Sequence, residues 1–268
     1  MEVGVIFWAE RDALEDIRGC GVDRGQLGIL GEIELTPEFA ARWKRDLDGF
    51  AIDTVICAFL GDNYTDIPTI QQTVGLIPDS TRAARESRIM EVSDFAAALG
   101  VKSIGCHIGF VPEDRTDPDY IHVRDSVRRI CDHLSTHGQT FALETGQETA
   151  EALLRFIDDV GRGNLKVNFD PANMLLYGTG EPIAAFEVLA KHVVSVHAKD
   201  GKWPPANPPG ALGTEQEWGH GLVNVPEFMK TLERCGFTGN IFVERETDQK
   251  EQRLIDIRNA VLLTRRYI

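Results

Sequence analysis

Eight short apolar runs, each followed by a stretch of helical pattern, limit most strongly what this chain can fold into. The runs are VGVIFW (3–8), QLGILG (26–31), DTVICAFLG (53–61), VKSIGCHIGF (101–110), TFALETG (140–146), LKVNFDPANM (165–174), VVSVHAKDG (193–201) and NIFVERE (240–246). Helix signals fill the intervals. Asp12 is placed to cap a first short helix, and Thr36-Pro37 opens a second with a capping side chain and a proline in the first turn. A long helix over 79–99 should stop at Gly100, and the next should end at Gly138. Further helices are expected over 149–160, 182–192, 226–235 and 249–267. Eight β-then-α units with no linker or change of composition predict one α/β domain over residues 1–268, a closed (β/α)8 barrel. An open doubly wound sheet is the alternative. Irregular loops are expected over 61–78 and 201–224. Both follow strands, so both belong to the mouth of a barrel where chemistry is done. The second contains Trp203 and four prolines between 204 and 209, and reads as a stiff lid.

Composition removes several function classes. With 43% hydrophobic residues in 268, the chain can bury a large core without a staple. A net charge of −14 argues against nucleic acid as a partner, because phosphate binding needs a basic footprint. No stretch is long and apolar enough to span a bilayer, and no start-proximal segment reads as a signal peptide. The five cysteines are scattered without CxxC spacing, as expected of free thiols in a reducing, cytoplasmic setting.

Four consecutive strand candidates end in metal-ligand side chains: Glu144, Asp170, His197 and Glu244. Neighbouring strands of a barrel fan their ends around one mouth, so these side chains can converge. Three carboxylates crowded together without a cation repel one another. With one imidazole they make an oxygen-rich site suited to a single divalent ion, Mn2+ first, or Mg2+, Co2+ or Zn2+.

ALETG, NFDPANM, VHAKDG and FVERE, in that order, resemble the sugar phosphate isomerase/epimerase superfamily, the xylose-isomerase-like TIM barrels. The resemblance spans the chain and is most specific from Glu144 onward. It implies one divalent metal held by Glu144, Asp170, His197 and Glu244, with Glu144 and Glu244 also serving as the acid/base pair. It implies, too, a small carbohydrate substrate and is compatible with a homo-oligomer. The residue types suit that chemistry. A divalent ion stabilises the enediolate formed when a proton leaves the carbon next to a carbonyl. One glutamate then takes the proton from one face and the other returns it from the opposite face.

Four further residues are candidates for substrate contact. His107 lies in the CHIG strand end, Lys199 follows His197 on the same strand face, and His220 lies in WGHGLVNV, which resembles the family's Gly-x-Gly turn. Asn173 stands where several family members carry a substrate-binding histidine, a departure that bears on substrate and reaction type. The expectation is therefore a metal-dependent epimerase or isomerase of a keto sugar or related polyol. A dehydratase or lyase acting by β-elimination is the close alternative. An endonuclease IV-like nuclease is disfavoured by the acidic charge and the missing histidines. A non-catalytic sugar-binding barrel has no need of both glutamates.

Overall fold

In the computed structural model, which describes residues 1–268, the first half of the chain runs through β1 (Val3–Trp8), α1 (Leu14–Arg18), β2 (Arg24–Ile29), α2 (Pro37–Asp46), β3 (Ala51–Cys57), α3 (Ile67–Thr73), α4 (Asp79–Leu99), β4 (Ser103–Cys106), α5 (Pro118–Thr136) and β5 (Thr140–Glu144). The second half adds α6 (Ala150–Val160), β6 (Leu165–Phe169), α7 (Pro171–Leu176), α8 (Pro182–Leu189), β7 (Val193–Ala198), β8 (Asp200–Lys202), β9 (Thr214–Gln216), α9 (Val225–Arg234), β10 (Asn240–Val243) and α10 (Lys250–Thr264). Eight strands close into a parallel barrel in the order β1-β10-β7-β6-β5-β4-β3-β2. The pairing of Val3 with Ile241 seals it, which an open sheet lacks. All five cysteines are free. No helix is long and apolar enough to cross a membrane.

The strands form because their residues suit burial on both sides. VVSVHA of β7 keeps every residue but Val194 buried. Helix boundaries follow local chemistry. Thr36 accepts a hydrogen bond from the Phe39 amide at 3.1 Å, and Thr149 accepts one from Ala152 at 3.2 Å. Gly100 ends α4 in the left-handed region at φ 82°, where a side chain would be strained. Apolar helix faces pack on the outside of the barrel. There Phe169, Phe186 and Phe228 meet edge-on or stacked, with centroids 5.2–6.0 Å apart. Each such ring contributes roughly 1.5–3 kcal/mol of burial. The barrel interior is polar at its centre: Gln26, Asn168, Ser195 and His197 are all buried there.

Several expected boundaries differ. Asp12 does not cap α1, whose N-cap is Ala13; its carboxylate instead accepts from the Trp8 amide at 2.8 Å and pairs with Arg253. The sixth strand stops at Phe169 rather than 174. Asp170 accepts from the Asn173 amide at 3.0 Å and caps α7, which begins directly at the end of the strand. Neither long loop is irregular throughout. Asp66 caps α3 within the first, and the second folds into the antiparallel β8–β9 hairpin.

Candidate functional site

The four strand-end residues occupy four adjacent staves of the barrel. Glu144 closes β5, Asp170 follows β6, His197 lies in β7 and Glu244 follows β10. All four are buried, and one ligand atom from each lies within 4.8 Å of the others. His197 Nδ1 is the hub: Glu244 Oε2 is at 2.7 Å, Glu144 Oε1 at 3.3 Å and Asp170 Oδ2 at 3.4 Å.

The ring's other nitrogen is tied down. His197 Nε2 sits 2.7 Å from Gln26 Oε1 and 2.9 Å from Asn168 Nδ2, contacts that fix the ring with Nδ1 toward the carboxylates. Asn168 Oδ1 accepts from Gln26 Nε2 at 3.3 Å and from the Ser195 hydroxyl, which orders this layer.

A metal ion fits the donor set. His197 Nδ1, Asp170 Oδ2 and Glu244 Oε2 are buried and make no hydrogen bond of proper geometry. Three orphaned ligand atoms converging on one point are costly unless a cation joins them. Without a cation the carboxylates draw a proton onto His197 instead. Burial works against charge on His197, but Glu244 and Glu144 outweigh it and lift its pKa well above the usual histidine value. Burial likewise opposes the charge on Glu144; His107 and His197 overcome it and hold its pKa well below the carboxylate range.

A cavity of about 560 Å³ opens onto this cluster. Glu144 and Glu244 line it, whereas Asp170 and His197 lie behind them, fully enclosed. His107, Asn173 and Lys199 also line it. His107 Nε2 is 3.4 Å from Glu144 Oε1, and Asn173 Nδ2 donates to that oxygen at 3.2 Å. Lys199 Nζ lies 3.4 Å from Glu244 Oε2, 3.3 Å from Glu246 Oε1 and 3.8 Å from Asp170 Oδ2. Burial disfavours that ammonium, but Glu244, Glu246 and Asp170 outweigh it and keep its pKa well above the ordinary lysine value. His220 is not brought to this group. It is 72% exposed and stands 3.4 Å from Glu217 on the outer loop.

The family model of the xylose isomerase-like TIM barrel matches residues 20–265. The chain belongs to this family. It is similar to the crystal structure of a xylose isomerase domain protein from Planctomyces limnophilus, with a TM-score of 0.95 and 39% identity over 99% of this chain and 96% of that one. More distantly it resembles a D-tagatose 3-epimerase-like protein, with a TM-score of 0.74 and 18% identity over 100% of this chain and 97% of that one. The probable 3-DHS dehydratase AsbF from Bacillus anthracis, involved in petrobactin synthesis, superposes with a TM-score of 0.69 and 16% identity over 98% and 99% of the two chains. These last two share the fold. Comparison with the curated proteins returns no match.

On this xylose isomerase-like barrel, several site residues carry no local signal in the sequence. Trp8, Tyr64 and Tyr177 supply aromatic walls to the cavity, and Gln26 orients His197 from the opposite side of the barrel. Asp200 organises the loop over 201–224: its carboxylate accepts the amides of Gly201 at 2.8 Å and of Gly219, Gly221 and Val223 at 3.0 Å. Gly221 approaches so closely that a Cβ there would overlap that carboxylate, which explains the second glycine of the Gly-x-Gly turn. Glu215, on β9, reaches across to the Glu246 amide at 3.1 Å and to Arg245 at 3.0 Å, pinning the hairpin beside the cavity. Only the acidic residue after VHAK and the spaced glycines hinted at this.

Proposed function

We propose that this protein is a divalent-metal-dependent epimerase or isomerase of a keto sugar or related polyol. Glu144, Asp170, His197 and Glu244 hold the ion, and Mn2+ is the first choice for an oxygen-rich set with one imidazole. The carrying observation is the division within this cluster: the two glutamates face the cavity while Asp170 and His197 stand behind them. Groups that only hold an ion have no need to face substrate, whereas proton-transferring groups must.

A divalent ion bound here supplies Lewis-acid stabilisation of charge developing on a carbonyl and its neighbouring hydroxyl. The remaining steps belong to the chain. Glu144 and Glu244 lie on opposite flanks of the cluster in strand order, so a planar enediolate between them offers each carboxylate one face. One removes the proton and the other returns it, with roles exchanged in the reverse direction. His107 and Asn173 hold Glu144 in position through its Oε1. The aromatic walls and the β8–β9 hairpin exclude water from the reacting carbon.

β-Elimination is the second reading, and Lys199 favours it. Its ammonium lines the cavity between Glu244 and Asn173, where it can protonate a departing hydroxyl. Mass spectrometry of a keto-sugar panel incubated with metal-loaded enzyme in D2O separates the two. Epimerisation adds one deuterium at an inverted carbon; elimination loses water. A metal-loaded protein that exchanges no proton of any bound sugar would instead be a binding barrel, and both readings would fall.

A further inference from the structure

A second cluster of metal-ligand side chains lies on the outer helical wall. Asp94 belongs to α4, His133 to the last turn of α5, and His137 caps that helix four residues later. Residues four apart on a helix stand one above the other, which sets two imidazoles side by side facing the neighbouring helix. Both Nε2 atoms lie 2.9 Å from one oxygen, Asp94 Oδ1, and the three ligand atoms fall within 4.8 Å of one another. The ring centroids are 5.6 Å apart. The imidazoles are about one-third exposed and Asp94 is 60% exposed, so water can complete a coordination shell.

We propose that Asp94, His133 and His137 form a second metal site, which takes a nitrogen-preferring transition-metal ion of tetragonal or octahedral habit, Ni2+ or Cu2+, and clamps α4 to α5. Two imidazole nitrogens beside one carboxylate suit Ni2+ and Cu2+, which take nitrogen donors and leave further positions for water. Without the ion each Nε2–H donates to Asp94; on binding, each neutral ring carries its proton on Nδ1 instead, exchanged through solvent, and offers the Nε2 lone pair to the metal. The cluster lies where α4 and α5 end and the chain turns back toward β4 and β5: the Lys102 ammonium donates to the His137 carbonyl at 2.9 Å, and the Thr140 amide to the Lys102 carbonyl at 2.9 Å. This is the end of the barrel opposite Glu144 and Glu244, the end associated with stability. Occupancy should therefore raise thermal stability and leave catalysis unchanged.

The two sites differ in nitrogen count, which makes the test specific. The mouth cluster offers one imidazole and the wall cluster two. Chelator-stripped protein would be titrated with Ni2+ alone, with equivalents bound and Tm recorded, and with Cu2+ for electron paramagnetic resonance. The comparison is His133→Gln/His137→Gln, whose amides can still donate to Asp94 and so preserve the helix contact. Asp94→Asn is the second variant, and the Tm of each metal-free protein checks its fold. The wild type should bind one more equivalent and gain more Tm with Ni2+ than the double glutamine variant, and show a two-nitrogen Cu2+ signal that this variant loses; Asp94→Asn, which keeps both imidazoles, should hold that equivalent more weakly. Equal equivalents and equal Tm gains in all three proteins would overturn the proposal, leaving the histidines as hydrogen-bond donors to Asp94.

Discussion

Gln26 Oε1 and His197 Nε2 lie 2.7 Å apart across the barrel interior although 171 positions separate them in the chain. The contact helps hold the imidazole with Nδ1 toward the carboxylates. Removing it should loosen the ring. Gln26→Leu is expected to weaken divalent-metal affinity about 10–100-fold, read by competition with a chromophoric chelator. An unchanged affinity would mean that the ring is held by packing alone.

Metal retention should separate the residues that enclose the ion from those that surround substrate. His197→Ala should lose most of the mouth metal by elemental analysis, while His107→Ala should keep it, since His107 reaches the cluster only through Glu144. Glutamine at Glu144 or Glu244, compared at equal metal occupancy, should lower turnover by about 10²–10⁴. Full epimerisation by both glutamine variants would refute two-base proton transfer.

The loop over 201–224 hangs on one carboxylate. Asp200 collects four backbone amides, and hydrogen bonds to a charged group contribute about 1.5–3 kcal/mol each. Asp200→Ala should accelerate amide exchange over 214–223 well beyond any change in the β1–β10 pairing. In the wild type, a tight substrate analogue should slow exchange in the same segment as the hairpin closes on it. Identical exchange with and without the analogue would remove the lid role.

Glu148 makes folding depend on pH. It is buried, with the Val111 amide donating to its Oε1 at 3.2 Å, and burial pushes its carboxyl up to about 7 from 4.5. Between those values the folded protein holds a proton that the unfolded chain releases. Stability therefore falls as pH rises from about 4.5 to about 7, by on the order of 3 kcal/mol from this group when complete. Glu148→Gln keeps the acceptor and removes the charge, so it should stabilise the protein at pH 8 and much less at pH 5.5. Urea unfolding at the two pH values measures it, and an equal effect at both would contradict the burial argument.

The eight barrel strands and the four residues that converge at the mouth were legible in the sequence because each depends on local pattern. Period-2 alternation and cap chemistry act over a few residues, and a residue at the carboxyl end of a barrel strand must face the mouth. Glu144, Asp170, His197 and Glu244 needed nothing more to be found. The α7 helix escaped because the segment reads as a continuation of the sixth strand, although Asp170 with Pro171 is the same cap-and-proline signal as Thr36-Pro37. His220 read as a candidate because it neighbours the Gly-x-Gly turn. The hairpin's path, set by the distant Asp200 carboxylate, turns it to solvent. What only tertiary structure decided is which side chains meet across the closed barrel: Gln26 with His197, Glu215 with Arg245, and the glutamates in front of Asp170 and His197. The physical reason is closure itself. Strand alternation says which way a side chain points, but its partner depends on the register in which eight strands join, and that register is settled by packing around the whole ring.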